Sequence, residues 1–385
     1  MNITLSNGAK EIMSLLESNN RKAYAVGGCI RDQIMGKEPF DFDITTDATA
    51  DEMLEIFSSY RVLTTGIKHG TVAVFADNEI FECTTFRVDG EYTDSRHPDS
   101  VTFSRNLRDN LSRRDYTVNA LCYNEKDGLI DLFGGIDDIK GKTIRCIGEA
   151  EKRFTEDALR ILRGLRFASS LGFTVEAKTA NAMLCCAPLL QNISKERITE
   201  EFRKMLIGKN TGYVLEGFLP VLKAVIPDFE IQKNYIDEFS SSAEDFEYRM
   251  SLLIKHNPHN EALLTALRLP KKVCESISQL SAMEAPENKI ELKKMLGAFK
   301  EENVVKYLTC SGNTDALRWY GEIKSGGECY QLSQLAVTGK DLLSVGLCGK
   351  EVGETLNALL AAVIKDPSLN QRDILLAMAK KEGLA

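Results

Sequence analysis

A chain of 385 residues is longer than one typical domain, so about two to four domains are expected. Its net charge of −8 argues against a protein that binds nucleic acid through its overall charge, although a local basic stripe on an acidic body would suit a transient RNA substrate. No apolar run approaches the roughly 20 residues that span a bilayer, and the first residues lack a secretory signal pattern, so we expect a cytosolic protein with no membrane partner.

After an amphipathic helix predicted over residues 3–19, the segment Tyr24–Thr46 predicts a strand, a glycine turn, a helix, a turn and a second strand. Gly27 and Gly28 let the backbone approach a ligand closely, because no Cβ stands in the way. Backbone N–H groups at the start of a helix suit a phosphate, and Arg31 adds positive charge there. This turn is therefore a candidate phosphate cradle.

The second strand of this segment carries Asp41 and Asp43. Residues two apart on a strand point to the same face, roughly 7 Å apart along the chain, so the two carboxylates can share one or two hard cations such as Mg²⁺. An isolated Asp-x-Asp is more often a surface turn or a helix cap. The order of strand, double glycine, Arg-Asp and Asp-x-Asp favours a phosphate cradle beside a metal site, as nucleotide chemistry requires.

A helix over Thr49–Ser58 and a β-hairpin follow along the chain. The hairpin strands are predicted at Thr71–Phe75 and Glu79–Phe86, because β-rich runs flank the turn residues Asp77-Asn78. The polar stretch Asp89–Asp99 then predicts a mobile loop, for which simple connection is the commoner role.

The segment RRDYTVNA brings together Arg113, Arg114, Asp115 and Asn119. Taken alone, such a run before apolar residues is most simply a charged helix N-terminus at the surface. The segment by itself favours this surface interpretation.

Residues 155–171 predict one amphipathic helix. Its polar side carries a ridge of residues three apart, namely Asp157, Arg160, Arg163 and Arg166. Glu156 and Arg160 are spaced i,i+4, so a solvated face stabilised by ion pairs is the plain interpretation for a generic helix.

The rest of the chain predicts helices almost throughout. They are expected at residues 193–206, Tyr213–Val225, Glu244–Ile254, Glu261–Leu267, Lys271–Met283, Leu292–Phe299, Val304–Leu308 and Val352–Ile364.

Five stretches together resemble one known family: GGCIRD, FDFDITT, TGIKHGTV, RRDYTVNA and EDALRILR. They are similar to motifs of the class II tRNA nucleotidyltransferase and poly(A) polymerase family, within the DNA polymerase β superfamily. The resemblance is strong over about residues 21–206 and looser afterwards. TGIKHGTV is like the CCA-adding members, whereas bacterial poly(A) polymerases carry a more arginine-rich stretch at this point.

The resemblance implies an elongated multi-domain protein. It would have an α/β head, with a polymerase β-like nucleotidyltransferase sheet and helices, followed by an all-α neck, body and tail. The expected boundaries are residues 1–145 for the head, 146–207 for the base-recognising neck, 208–310 for the body and 311–385 for a tRNA-binding tail.

The resemblance also implies roles for individual residues. Asp41 and Asp43 would be catalytic and bind Mg²⁺. The resemblance fixes no third carboxylate, for which Glu82 on the neighbouring strand is a candidate. Asp157 and Arg160 would read the incoming base, with Arg163 and Arg166 further along. The nucleotide-binding set is Gly27, Gly28, Arg31, Arg113, Arg114, Asp115, Asn119, Asp157, Arg160, Arg163 and Arg166.

The implied activity is template-independent addition of CCA to the 3′ end of tRNA from CTP and ATP, with tRNA and the two nucleotides as partners and no protein partner. In the family, CC-adding members shorten the flexible loop between the first two motifs, and the corresponding stretch Asp89–Asp99 is kept here, which speaks against a CC-only enzyme. TGIKHGTV speaks against a poly(A) polymerase. Addition of A alone stays open. An inactive RNA-binding relative is a distant alternative, because Asp41 and Asp43 are both present.

Overall fold

The computed structural model describes residues 3–90, 101–226 and 229–382. Contacts divide the chain into two compact units, Met1–Ile236 with Thr265–Arg268, and Asp237–Leu264 with Leu269–Ala385. The predicted loop at residues 89–99 falls largely outside the described residues. In the part of the chain that the structure describes, no helix has the length and apolar character needed to cross a membrane.

The first unit is built on a seven-stranded mixed sheet. The strands of the unit are β1 Ala23–Val26, β2 Asp43–Thr46, β3 Arg61–Leu63, β4 Thr71–Ala76, β5 Glu79–Thr85, β6 Arg87–Asp89, β7 Val101–Phe103, β8 Leu121–Asn124, β9 Gly128–Asp131, β10 Thr143–Ile144 and β11 Thr174–Val175. The strand order in the large sheet is β3-β4-β5-β2-β1-β8-β9, in which β2 and β5 pair in parallel and every other pair of neighbours is antiparallel. Strands β6 and β7 form one small separate sheet, and β10 and β11 form another.

The helices of the first unit depart from the prediction, because the single helices predicted at residues 155–171 and Tyr213–Val225 are each divided, and the helices at Leu107–Ser112, Gly135–Lys140 and Ala177–Cys186 were not predicted. The helices of this unit are α1 Asn7–Ser18, α2 Gly28–Ile34, α3 Ala50–Ile56, α4 Leu107–Ser112, α5 Gly135–Lys140, α6 Ala150–Glu156, α7 Leu159–Leu171, α8 Ala177–Cys186, α9 Lys195–Leu206, α10 Thr211–Gly217 and α11 Leu219–Val225. The expected α/β head followed by helices is confirmed.

Side chains alternate along the strands, so the sheet has one buried face and one less covered face. Val72 and Val74 of β4 are fully buried and lie opposite Cys83 and Phe81 of β5. Helices α1 and α3 pack against this sheet. Because side chains alternate between faces along a strand, Asp43 points away from the side that buries Ile44. The sheet thus presents acidic residues on its less covered face.

The prediction of a single helix over residues 155–171 is wrong, because the helical conformation is interrupted at Asp157. Its backbone is extended there, with φ of −141° and ψ of 102°, between α6 and α7. The Asp157 carboxylate accepts a hydrogen bond of 3.0 Å from the N–H of Leu159. Aspartate favours such local side-chain bonds at a helix start over a place in the helix interior, so it separates two helices here.

The second unit is helical. Its helices, beginning at the junction of the two units, are α12 Ile236–Ser241, α13 Phe246–His256, α14 Ala262–Ala266, α15 Lys271–Ser281, α16 Lys289–Ala298, α17 Glu301–Cys310, α18 Thr314–Ser325, α19 Gly339–Ser344, α20 Lys350–Lys365 and α21 Arg372–Glu382. The predicted helices agree within a few residues. The sequence prediction omitted α12, α18, α19 and α21. Of these, α18 buries only Ala316 and Ile323, which is too little apolar periodicity to stand out. The division into head, neck, body and tail stays a prediction.

Candidate active site

A cavity of about 480 Å³ in the first unit collects most of the predicted site residues. The residues that line the cavity come from α2, β2, the segment after α4, the break before α7, α7 itself and α9, which are far apart in sequence. The lining residues are Gly28, Arg31, Asp43, Arg113, Arg114, Asp115, Asn119, Asp157, Leu159, Arg160, Arg163, Phe167 and Arg197.

The lining is strongly basic although the whole chain is acidic. Six arginines and three aspartates give it a formal charge of +3, against −8 for the complete chain. A cleft of one sign attracts ligands of the opposite sign, so the cavity suits an anion such as a triphosphate. The cavity is therefore a local basic site on a chain whose net charge is negative.

The acidic pair lies at the start of β2. Asp43 is the first residue of the strand and pairs with Val26 of β1, whereas Asp41 lies two residues before β2 rather than within a strand as predicted. The parallel pairing of Ile44 with Cys83 sets Asp43 beside Glu82 one residue earlier. Asp43 therefore has Glu82 as a neighbour on the adjacent strand and Asp41 two residues earlier in the chain.

The surroundings of Asp43 raise the pKa of its carboxyl. Its side chain reaches solvent, but protein surrounds it on most sides, and this desolvation raises the pKa of the carboxyl. Arg114 opposes the shift, while the charges of Asp41 and Glu82 raise the pKa further. A cation bound among these oxygens would relieve their repulsion.

The donor set fits Mg²⁺ better than a metal that needs a complete protein cage. Among the described residues no three His, Cys, Asp or Glu side chains lie close enough to form a closed ligand set. Mg²⁺ is usually held by one or two carboxylates and completes its shell with water and substrate phosphates. Asp41 and Asp43 are sufficient for that arrangement.

The glycine turn lies against Arg114. Gly27 has a positive φ of 88°, and an added Cβ at this position would lie 2.9 Å from Nη1 of Arg114. The same Nη1 donates to the carbonyl oxygen of Asn119 at 3.2 Å. Burial lowers the pKa of Arg114, but Asp43 and Asp115 oppose the shift, and arginine stays charged in proteins. Because Gly27 has no Cβ, the guanidinium of Arg114 can pack against the backbone of this turn.

Asp115 and Asn119 connect two cavity arginines. Arg163 donates from Nε to Asp115 at 2.7 Å, and Arg31 donates from Nη1 to Asn119 Oδ1 at 2.6 Å. The Asn119 amide donates to Asp115 over 3.4 Å, which closes the chain of bonds. Burial alone would raise the pKa of the Asp115 carboxyl, but Arg163 lowers that pKa to about 2. Asp115 and Asn119 thus hold arginines in place.

Asp157 and Arg160 both face the cavity, and each is oriented by other groups. Asp157 accepts from Nη2 of Arg197 on α9 at 3.1 Å. Arg160 donates to Glu156 at 2.8 Å, which confirms the predicted i,i+4 ion pair, and also to the carbonyl oxygen of Arg113 at 3.3 Å. Arg160 is only 8% exposed, so its guanidinium has little freedom to move.

Gly27, Asp41 and Arg166 are not among the residues that line the cavity. Gly27 precedes the lining residue Gly28, and Asp41 lies two residues before Asp43, whereas Arg166 pairs with Glu201 of α9 at 2.7 Å. The ridge of residues three apart curls around α7, so its last member turns away from the cavity.

Sequence reasoning missed Leu159, Phe167 and Arg197 as lining residues. Phe167 follows Arg163 by four residues on α7, and that spacing places both on one side of the helix, so a signal was present. Arg197 is brought in by the packing of α9 on α7. Nothing near it in the sequence marks it for the cavity.

Known families match two parts of the chain. Residues 23–145 match the poly A polymerase head domain, and residues 172–218 match a domain described as "probable RNA and SrmB-binding site of polymerase A". The first match covers the glycine turn, the acidic pair and the segment Arg113–Asn119. It therefore agrees with the position of the cavity's α/β half.

Full-length relatives are similar over almost the whole chain. The CCA-adding enzyme of Enterococcus faecalis is 36% identical over 98% of this chain and 97% of its own. The CCA-adding enzyme of Lactiplantibacillus plantarum is 35% identical over 97% of this chain and 95% of its own. The solved structure of the Bacillus stearothermophilus CCA-adding enzyme in complex with CTP matches with a TM-score of 0.77 and 31% identity, over 98% of this chain and 97% of that one.

Proposed function

The chain belongs to the family of CCA-adding enzymes, and from this premise we propose that it adds CCA to the 3′ end of tRNA at the described cavity, using CTP and ATP. One observation carries the assignment of the site. Asp43 opens into the same cavity as Gly28, Arg31 and Arg114, so a carboxylate for a metal ion lies beside a basic pocket for a triphosphate. We place the activity in the cytoplasm.

Members of this family are nucleotidyltransferases that normally use a divalent metal. Asp41 and Asp43 would hold Mg²⁺, which when bound makes a hydroxyl more acidic and neutralises phosphate charge.

The nucleotide's triphosphate would lie along Gly28, Arg31 and Arg114. The backbone N–H groups at the start of α2 point outward without a Cβ in the way, and the two guanidinium groups supply charge-assisted hydrogen bonds. The 3′-hydroxyl oxygen of the RNA attacks the α-phosphorus, its proton is lost, and the bond to pyrophosphate breaks. Negative charge accumulates on the leaving pyrophosphate, where Arg31 and Arg114 stabilise it.

Asp157 and Arg160 would choose the base. Aspartate can only accept hydrogen bonds and arginine can only donate them. Cytosine and adenine both present an exocyclic amine next to a ring acceptor, so both match this pair. Uracil and guanine place a carbonyl oxygen where the amine would be, and its lone pairs would face the carboxylate. The protein then takes the place of a nucleic-acid template.

Asp157→Ala is expected to admit UTP. Each base contact of this kind discriminates by about 1–3 kcal/mol, so the preference for CTP over UTP should fall roughly 10-fold to 100-fold. The measurement is single-nucleotide addition to tRNA with each of the four nucleotides. Asp137→Ala, which changes an exposed carboxylate on α5, serves as control and should leave the choice unchanged. An unaltered preference in Asp157→Ala would contradict the role given to this carboxylate.

The activity itself is tested with three truncated tRNAs, which lack the terminal adenosine, the last two nucleotides or all three. We expect CTP alone to extend the second by one nucleotide and the third by two, and ATP alone to extend the first by one. Labelling of the first substrate only would indicate an A-adding enzyme, and use of CTP only would indicate a CC-adding enzyme. Repeated ATP addition would indicate a poly(A) polymerase.

A further inference from the structure

The ring of Phe167 on α7 is surrounded by guanidinium groups. Arg31, Arg163 and Arg166 place their Cζ atoms 5.6, 5.5 and 4.1 Å from the ring centroid. Cations within about 6 Å of an aromatic centroid are attracted by the negative face of the ring. Three arginines from two helices therefore share one aromatic partner at the cavity.

Charges of equal sign resist this arrangement. Arg31 and Arg163 both line the cavity, and Arg166 pairs with Glu201 behind it. Each guanidinium repels the others, and the repulsion is stronger where protein excludes water. The ring offsets part of that repulsion in the ligand-free protein, because it attracts all three cations and adds no charge of its own.

Neighbouring residues hold the ring in a fixed position. Tyr116 packs edge-on against Phe167, with centroids 6.0 Å apart and planes at 77°. Tyr116 is fully buried, and its hydroxyl donates to the carbonyl oxygen of Arg160 at 2.6 Å. Gly164 admits this tyrosine, because an added Cβ there would lie 2.2 Å from the hydroxyl oxygen. The two aromatic rings form a rigid base under the arginines.

We propose that Phe167 is a positioning residue, whose ring gathers Arg31, Arg163 and Arg166 so that the cavity is ready for the nucleotide's phosphates before binding. The ring is only 6% exposed, so it acts through the arginines and not by stacking on a base. The inference rests on the proposed function and adds a residue to it. Preorganised charges bind more tightly because the ligand does not have to assemble them.

Phe167→Leu tests the idea, since leucine keeps apolar packing but removes the aromatic face. We expect KM for CTP and for ATP to rise about tenfold, while kcat stays within about twofold of wild type. The inhibition constant of inorganic pyrophosphate should rise by a similar factor, because pyrophosphate needs the same arginines and has no base. Phe167→Tyr, which restores the ring, should return both constants to within about threefold of wild type.

Phe173→Leu is the matched control, because Phe173 is also a buried phenylalanine and lies two residues after the end of α7. It should leave KM and the pyrophosphate inhibition constant unchanged. If Phe167→Leu does not fold, Phe167→Met carries the same expectation with a more adaptable side chain. Unchanged constants, a loss confined to kcat, failure of Phe167→Tyr to rescue or an equal effect in Phe173→Leu would each overturn the inference. Absence of CCA addition by the wild-type protein would instead contradict the proposed function.

Discussion

Asp43→Asn is expected to reduce nucleotide addition about a thousandfold while the fold and tRNA binding are retained. Asparagine has the same shape and lacks the charge that a divalent cation requires, and a metal ion contributes several kcal/mol to such a transition state. A thousandfold loss corresponds to about 4 kcal/mol. Asp43 reaches solvent at the start of β2, so the exchange removes no core packing.

The measurement is the single-turnover rate of ATP addition to tRNA that lacks only the terminal adenosine, together with tRNA affinity by filter binding. Asp51→Asn is the control, since this carboxylate is exposed in the first turn of α3. The double variant Asp41→Ala with Asp43→Ala should be at least as inactive and should still bind tRNA. If Asp43→Asn keeps more than about a tenth of the wild-type rate, the catalytic assignment of Asp43 is wrong.

Gly27→Ala is expected to lower kcat/KM for CTP about a hundredfold. The positive φ at this turn disfavours any side chain, and the new Cβ would lie 2.9 Å from Nη1 of Arg114. Arg114 is half-buried, and its Nη1 donates to the carbonyl oxygen of Asn119, so the new Cβ would push this guanidinium toward the cavity and away from its present position. A displacement of about 1 Å in a positioning group can cost roughly a hundredfold in rate.

Gly128→Ala separates backbone strain from displacement of Arg114. Gly128 also has a positive φ, 74°, but an added Cβ there meets nothing within 4 Å. Both alanines should lower the free energy of unfolding by roughly 1–2 kcal/mol, and only Gly27→Ala should reduce activity. Melting temperatures and kcat/KM of the two variants provide the comparison. Equal activities would show that Arg114 does not depend on the space at Gly27.

Elements that are encoded by residues adjacent in the sequence could be predicted from the sequence alone. The hairpin of β4 and β5 turns at Asp77 and Asn78, which have φ of 46° and 61°. Such values are tolerated by Asp and Asn, and this tolerance is why the turn is recognisable from sequence. The helix break at Asp157 was missed because apolar periodicity continues across it. A single side-chain bond to the N–H of Leu159 outweighs that periodicity.

The sequence by itself determined the chemical groups and their local order: a glycine turn, Arg31, the pair Asp41 and Asp43, and the arginines of two later motifs. Only the tertiary structure decided which arginines face the cavity and what holds them there. Arg163 bonds to Asp115 48 residues away, and Asp157 to Arg197 40 residues away. These pairings depend on how α7 packs against α9 and the segment after α4, and neither helical periodicity nor motif spacing encodes the contact between separate elements.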